Sequence, residues 1–153
     1  MTAQPTVRAG GLATWQGRVA VHVPFSYFDQ SVSLLDPRIT VVENFSRLNP
    51  SVGEQDCRAS LARFQFKADA ADRQVATLSG GQLLRAGVAC VLGGARPPSL
   101  LILDEPTNHL DMESIAAVEA GLRAFDGALL IVSHDEMFLD AVGITRRINI
   151  ARE

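Results

Sequence analysis

The chain has 153 residues, a formal net charge of −3, and 47% hydrophobic residues, which is enough to bury the core of about one domain. No basic run extends beyond Arg146-Arg147, which argues against binding nucleic acid by charge alone but not against a domain of a larger nucleic-acid machine. No apolar run approaches the roughly 20 residues that cross a bilayer, and residues 1–11 have no signal-peptide core. Cys57 and Cys90 form no CxxC pair, so we expect reduced, buried thiols in a cytoplasmic protein.

In the amino-terminal part, the residue pattern predicts an irregular segment followed by one strand. Residues 1–17 are glycine-rich, and we expect them to be an irregular lead-in. Residues 18–28 alternate between apolar and other side chains, which predicts a strand that Pro24 marks as an edge or an end. Gln30 would then lie where this strand exits into a loop.

A small helical unit is predicted next. Thr40 and Glu43 have the spacing of a capping box in front of a helix that Asn49-Pro50 would end. Within residues 54–66, apolar side chains recur at spacings of four and three and predict a second amphipathic helix, whose buried residues would be Cys57, Leu61 and Phe64.

The carboxyl-terminal half predicts buried parallel strands. Residues 99–105 and 127–136 each contain a continuous apolar run that ends in polar residues, and residues 112–125 have helical periodicity. Apolar runs that alternate with a helix are typical of a parallel α/β sheet. A short helix at about 135–142 and a last strand at about 145–150 would close the chain.

Polar side chains follow all three predicted strands at the point where each ends. These are Gln30, Asp104-Glu105 and His134. Ligands of open parallel sheets bind beyond the carboxyl ends of the strands, so this coincidence favours a binding site. Each feature alone also fits an ordinary strand that exits into a solvated polar loop.

The chemistry of these groups suits a phosphate ligand. Asp104 suits hydrated Mg²⁺, and Glu105 could orient or deprotonate a water. His134 could donate to a phosphate oxygen. Ser133-His134-Asp135 is not a hydrolase triad, because adjacent residues on a strand point to opposite faces.

A Ser-Gly-Gly segment begins another predicted helix. Ser79 is a good N-cap, and Gly80-Gly81 would allow an anion close to the free N–H groups of the helix start. An ordinary capped helix after a glycine turn explains the same residues.

Together these segments resemble the ATP-binding-cassette (ABC) ATPases. LSGGQ (78–82), LLILDEPTNHLD (100–111) and VSHDE (132–136) are similar to the signature motif, the Walker B motif with its D-loop, and the switch histidine, in the family's order. Gln30 resembles the Q-loop glutamine. DEPTNHLD resembles the ABC-F branch, whose members are soluble, carry two cassettes in one chain and in many cases act on ribosomes. Gln82 and Leu83-Leu84 depart from that branch's usual signature.

The resemblance runs from about residue 18 to 150 and implies a fold. This is an incomplete P-loop-NTPase-type α/β domain with a mostly parallel sheet. A helical and signature subdomain would occupy residues 36–95, and the Walker B, D-loop and switch region would occupy residues 96–153.

The resemblance also implies a role for each site residue. Asp104 would support Mg²⁺ through its waters, and Gln30 would contact Mg²⁺ and the attacking water. Glu105 would be the catalytic base, and His134 would contact the γ-phosphate of ATP. The remaining expected site residues face a second cassette: Ser79, Gly80, Gly81 and Gln82 of the signature, and Asn108, His109, Leu110 and Asp111 of the D-loop.

The phosphate-binding loop GxxxxGK[ST] does not occur in the sequence. Lys67 is the single lysine, and it has neither the preceding glycine nor the following Ser or Thr. We therefore expect the carboxyl-terminal part of one cassette, which alone would bind ATP weakly, hydrolyse it negligibly and expose apolar surface.

Three functions follow as alternatives. The first is ATP binding and hydrolysis within an ABC-F-type ATPase, with a second cassette and the ribosome as partners. The second is a non-catalytic module that donates its signature and D-loop to a partner cassette. The third is the nucleotide-binding domain of an ABC transporter, against which the NHLD sequence of the D-loop argues.

Overall fold

The computed structural model describes residues 22–29, 31–108 and 110–150. Parallel strands alternate with helices in the second half of this range, as the apolar runs predict. The elements, in chain order, are β1 (Phe25–Phe28), α1 (Val41–Leu48), α2 (Glu54–Arg63), α3 (Gly80–Leu92), β2 (Leu100–Asp104), α4 (Met112–Arg123), β3 (Ala128–Val132) and α5 (Glu136–Val142), with short 3₁₀ turns at Ala68–Ala70 and Val75–Thr77.

The three strands form one parallel sheet in the order β1-β2-β3. Phe28 pairs with Leu103, and Leu103 pairs with Ile131, so the carboxyl ends of the strands lie level at one edge. The predicted α/β fold with a parallel sheet is thus confirmed.

The two faces of this sheet differ in burial. Phe28 and Leu103 are almost fully buried on the face that belongs to the core. On the opposite face, Tyr27, Ile102 and Leu130 form one row across the three strands. Tyr27 is 47% exposed and Leu130 is 54% exposed. Because parallel sheets are normally covered on both sides, this open apolar face is unusual.

The predicted capping box of α1 is present. The Glu43 N–H donates to Thr40 Oγ1 at 3.2 Å, and the Thr40 N–H donates to Glu43 Oε2 at 2.7 Å. These bonds satisfy two backbone donors at the helix start. The helix ends at Asn49, as predicted, and the Asn49 side chain donates to the carbonyl of Cys90 in α3.

Helix α2 ends earlier than its periodicity predicts. It stops at Arg63, and Gln65 follows with a φ of +68°, in the left-handed region that terminates helices. Phe64 is nevertheless buried, and after it the Phe66 N–H donates to the carbonyl of Leu61.

Helices α3 and α4 lie side by side and parallel, and glycines allow their close approach. A Cβ on Gly81 would meet Ser114 Oγ at 2.7 Å, and a Cβ on Gly121 would meet Val88 Cγ1 at 3.5 Å. The two contacts are seven residues apart on each helix and in the same direction. Gly87 likewise brings α3 against β1, since its Cβ would meet a Phe28 ring carbon at 2.7 Å.

Two predicted strands need correction. Within the described residues the first strand begins only at Phe25, after Pro24, which cannot donate a ladder hydrogen bond. The rest of that prediction, with the lead-in at residues 1–17, lies outside the described residues. The last strand, at 145–150, is wrong: Arg147 binds Glu136 and Asp140 and holds this segment beside α5 instead of in the sheet.

Both cysteines are buried and unpaired, as predicted. Burial raises the pKa of Cys90 to about 12 and raises that of Cys57 above its ordinary value, so neither thiol is activated. None of the helices in the described part of the chain has the length and hydrophobicity needed to span a membrane.

Candidate nucleotide-binding site

The ends of β2 and β3 bring Glu105 and His134 together. Because Asp104 pairs with Val132, the residues that follow the two strands leave the sheet side by side. The Nδ1 atom of His134 lies 2.8 Å from Oε2 of Glu105. The Glu105 N–H also donates to the carbonyl of Val132 at 2.7 Å, which anchors the carboxylate residue to the end of β3.

Glu105 has a strained backbone. Its φ of +48° lies in the left-handed region, which costs a residue with a Cβ about 1–3 kcal/mol. The bond to Val132 and a bond from the Asn108 N–H to the Glu105 carbonyl hold this conformation. Strain of this kind is concentrated at functional sites, where it fixes the direction of a side chain.

Asp104 lies on the open face of the sheet beside Tyr27. The Tyr27 hydroxyl donates to Asp104 Oδ2 at 3.4 Å. Burial, with the neighbouring Asp104 carboxylate as the next cause, raises the pKa of Tyr27. Sequence reasoning missed Tyr27, although the alternation in β1 places it on the face opposite Phe28.

A cavity of about 200 Å³ connects the strand ends with the start of α3. Asp104, Glu105 and Gly80 all line it, so the carboxylates and the Ser-Gly-Gly helix start share one cavity. Val32 also lines it, and its φ of +46° is a second strained backbone conformation. The cavity therefore combines acidic side chains with the N-terminus of a long helix.

Asp29 is a further lining residue that the sequence analysis did not single out. Partial burial raises the pKa of Asp29, but hydrogen bonds from Ser33 and Ser31 outweigh this effect and hold the pKa below its ordinary value. Its position directly after β1 was the available signal.

The helix start at Ser79 is built as predicted. Ser79 Oγ accepts the Gln82 N–H at 3.3 Å, and Gln82 Oε1 accepts the Ser79 N–H at 3.2 Å. Arg73 also donates to Gln82 Oε1, which further restrains that side chain. Nothing lies within 4 Å of a Cβ placed on Gly80, so a ligand can approach the backbone there.

The residues predicted for the D-loop connect this cavity to α4. Asn108 and Leu110 line the cavity, and Asp111 caps α4 by accepting the Ser114 N–H at 2.7 Å. That backbone hydrogen bond holds the pKa of Asp111 below its ordinary value. His109 and Gln30 lie outside the described residues.

The described residues contain no cluster of three or more His, Cys, Asp or Glu side chains that would enclose a metal ion. The donor set still fits Mg²⁺, which uses one or two carboxylates and keeps several waters. Asp104 is the residue placed to hold such a hydrated ion, and Asp29 and Glu105 line the same cavity.

A known protein family matches most of the chain. The profile described as "ABC transporter" matches residues 5–108 of the chain. The chain belongs to this family. The cassette's relatives are members of its F branch: "ATP-binding cassette sub-family F member 3" of Homo sapiens is 40% identical over 87% of the chain, and the protein of that name from Mus musculus is 41% identical over 79%.

The cassette is much shorter than these relatives. It spans 19% of the human protein and 17% of the mouse protein. An uncharacterized ABC transporter ATP-binding protein of Schizosaccharomyces pombe, 41% identical over 75% of the chain, is matched over 16% of its length.

Solved structures of ABC proteins have the same fold. A complex of archaeal ribosomal stalk protein aP1 with the archaeal ribosome recycling factor aABCE1 matches with a TM-score of 0.63 and 28% identity, over 83% of this chain and 25% of that one. The dimeric bacterial ABC transporter cassette MJ0796 matches with a TM-score of 0.61 and 23% identity, over 75% of this chain and 54% of that one. At 23% identity, the similarity to MJ0796 shows a common fold and nothing more.

Proposed function

We propose that this cassette binds and hydrolyses ATP as part of an ABC-F-type ATPase in the cytoplasm. The observation that carries the proposal is the 2.8 Å contact between His134 and Glu105 at the strand ends, beside Asp104. In this proposal the signature and the D-loop face ATP held by a second cassette of the same longer chain or of a homodimer. The chain is about 40% identical to F-branch proteins, which supports this function over that of a transporter subunit.

Glu105 is suited to act as the general base. His134 contacts Oε2, and Oε1 has no hydrogen bond within the described residues, so it can accept the proton of an attacking water. Because the ionised Glu105 carboxylate can only accept a hydrogen bond, Nδ1 of His134 is the donor in this pair. In the imidazolium form, Nε2 would also carry a proton to donate to a phosphate oxygen.

In this proposal Asp104 supports Mg²⁺ through its waters, and Gln30 contacts Mg²⁺ and the attacking water. When bound, Mg²⁺ neutralises the charge of the β- and γ-phosphate oxygens. The Tyr27 hydroxyl donates to Oδ2 of the same carboxylate.

We further propose that another polypeptide segment supplies the phosphate-binding loop. The 153 residues contain no GxxxxGK[ST], and that loop provides most of the backbone contacts to the phosphates. The isolated chain should therefore bind ATP weakly and hydrolyse it negligibly. Tight binding of ATP by the isolated chain, measured by calorimetry, would contradict this part of the proposal.

Mixing the chain with a P-loop-bearing F-branch cassette tests the trans arrangement. We expect faster phosphate release by the mixture than by the other cassette alone. Ser79→Arg should abolish this stimulation, because it places a bulky cation at the helix start. Ser51→Arg, at an exposed position outside the site, is the matched control. Equal stimulation by both variants would refute a role for the signature.

A non-catalytic donor module is the second candidate. Two observations favour it: α3 begins at an open, capped Ser-Gly-Gly turn, and the sequence lacks the phosphate-binding loop. Hydrolysis by the cassette completed with its phosphate-binding loop separates the two functions, because a donor needs Ser79 but not its own Glu105. Stimulation of a partner cassette that is lost on Ser79→Arg, without hydrolysis by the completed cassette itself, would identify a donor module.

The ribosome is the proposed partner of the whole protein. One solved relative is a ribosome recycling factor, which supports this proposal. Cosedimentation of the chain, paired with a P-loop-bearing cassette, with ribosomes in the presence of a non-hydrolysable ATP analogue would test it. Failure to sediment would count against this partner.

A further inference from the structure

Arg85 is a charged residue that is buried inside the fold. It belongs to α3, one helical turn after Gly81, and it is 6% exposed. Its Nε and Nη1 atoms are buried and have no hydrogen-bond partner among the described residues. Folded proteins leave few buried polar groups unsatisfied, and a buried guanidinium without acceptors destabilises a fold. Stability therefore does not explain Arg85, and such exceptions are typical of functional positions.

Two contacts locate the Arg85 side chain without satisfying these donors. The guanidinium carbon lies 5.3 Å from the centre of the Phe66 ring, which is a cation–π contact. Nη1 lies 3.8 Å from Oε1 of Glu113, which is near enough for charge attraction but too far for a hydrogen bond. The Glu113 side chain is 74% exposed, so packing does not fix its carboxylate. The guanidinium is therefore held beside a carboxylate to which it is not bonded.

The carboxylates near Arg85 belong to the start of α4, where the D-loop ends. Asp111 caps this helix, and Glu113 lies in its first turn. A Cβ on Gly81 would lie 3.2 Å from Asp111 Oδ2, so the capping carboxylate lies against the turn of α3 that precedes Arg85. The backbone hydrogen bond from Ser114 is the main cause that lowers the pKa of Asp111, and the positive charge of Arg85 lowers it further. Arg85 thus acts on both acidic groups that begin α4.

We propose that Arg85 is a positioning residue that sets the D-loop against the start of α3 by attracting Asp111 and Glu113. The N-terminus of a helix repels a cation, so these two carboxylates are what draws α4 toward the guanidinium. This inference rests on the proposed function, in which the signature and the D-loop face ATP held by a second cassette.

Arg85→Met tests this role, because methionine keeps an unbranched apolar side chain but carries no charge. Replacing a buried charge that lacks acceptors by an apolar side chain is often neutral or stabilising. We therefore expect the urea midpoint of the isolated chain to stay the same or to rise. In the mixture with a P-loop-bearing F-branch cassette, the maximal rate of phosphate release should fall about tenfold or more, because small misplacements far from the chemistry slow catalysis. Arg85→Lys keeps the charge and should retain most of the stimulation.

Glu113→Gln tests the same contact from an exposed position. It should lower the stimulated rate, and combining it with Arg85→Met should cost no more than Arg85→Met alone, since both changes remove one interaction. Arg58→Met is the matched control. Arg58 pairs with Glu54 in the first turn of α2, so this variant removes the same charge away from the D-loop and should leave the stimulation normal.

A carbon-13 NMR titration of Asp111 in the isolated chain measures the attraction without ATP. Arg85→Met should raise the pKa of Asp111, because it removes a nearby positive charge, whereas Arg58→Met should not. A chain that stimulates no partner cassette would contradict the proposed function, and the titration would still decide whether Arg85 acts on the start of α4.

Three results would overturn the positioning role. They are normal stimulation by Arg85→Met, an unchanged pKa of Asp111 in that variant, and a clear fall of its urea midpoint, which would make Arg85 a structural residue.

Discussion

His134 and Glu105 are 29 residues apart in the chain, yet their side chains are in hydrogen-bonding contact at 2.8 Å. The contact arises because β2 and β3 are adjacent parallel strands that end level with each other. It gives the proposed base a defined partner and leaves one carboxylate oxygen for water.

Glu105→Gln should lower ATP hydrolysis about 100-fold or more in the cassette completed by its phosphate-binding loop, because an amide keeps the shape of the side chain but cannot accept a proton. Single-turnover phosphate release by the chain joined to a segment that carries GxxxxGK[ST] measures the effect. Glu119→Gln, on α4 and away from the candidate site, is the control and should hydrolyse ATP at the normal rate. A normal rate for Glu105→Gln would rule out the base.

Gly81→Ala should destabilise the fold, whereas Gly80→Ala should not. The new methyl group at position 81 would meet Ser114 Oγ at 2.7 Å, but nothing lies within 4 Å at position 80. Overpacking costs about 1–3 kcal/mol, while alanine improves helix propensity by up to about 1 kcal/mol. Urea unfolding of both variants gives the comparison. Equal stabilities would show that α3 and α4 can separate at no cost.

Gln65→Gly should increase the free energy of unfolding by about 1 kcal/mol, because Gln65 is exposed and has a φ of +68°, a conformation that glycine adopts without strain. Gln55→Gly makes the same change inside α2 and should decrease stability by about 1 kcal/mol. Thermal and urea unfolding measure both. A loss of stability in both variants would mean that the Gln65 side chain contributes more than the strain costs.

Asp111→Asn should change how stability depends on pH. The folded pKa of Asp111 is lowered, so its carboxylate stabilises the fold above the unfolded pKa of about 3.9, and this contribution is lost as the pH falls through the folded pKa. Asparagine caps helices equally well but does not titrate. Urea unfolding from about pH 6 down to about pH 3 should therefore show a shallower loss for the variant. Identical slopes would mean that Asp111 has the same pKa folded and unfolded.

The features that sequence reasoning predicted best depend on local rules. Ser79 and Thr40 begin helices because their side chains accept N–H groups three residues later, and such caps are visible in a few letters. The apolar runs of β2 and β3 predicted parallel strands, and parallel strands bring the residues that follow them to one edge.

What the sequence did not reveal depends on contacts between distant elements. The Tyr27 contact with Asp104 requires the register of β1 against β2, which no local pattern specifies. Residues 145–150 were predicted as a strand, but a strand also needs a partner, and in the structure Arg147 pairs with Glu136 and Asp140 of α5 instead.

The parallel alignment of α3 and α4 has a mechanical consequence. A Cβ on Gly81 would meet Ser114 Oγ at 2.7 Å, so any larger side chain there would force the start of α4 away from the start of α3. The distance between these two capped helix starts therefore depends on the absence of a side chain at position 81.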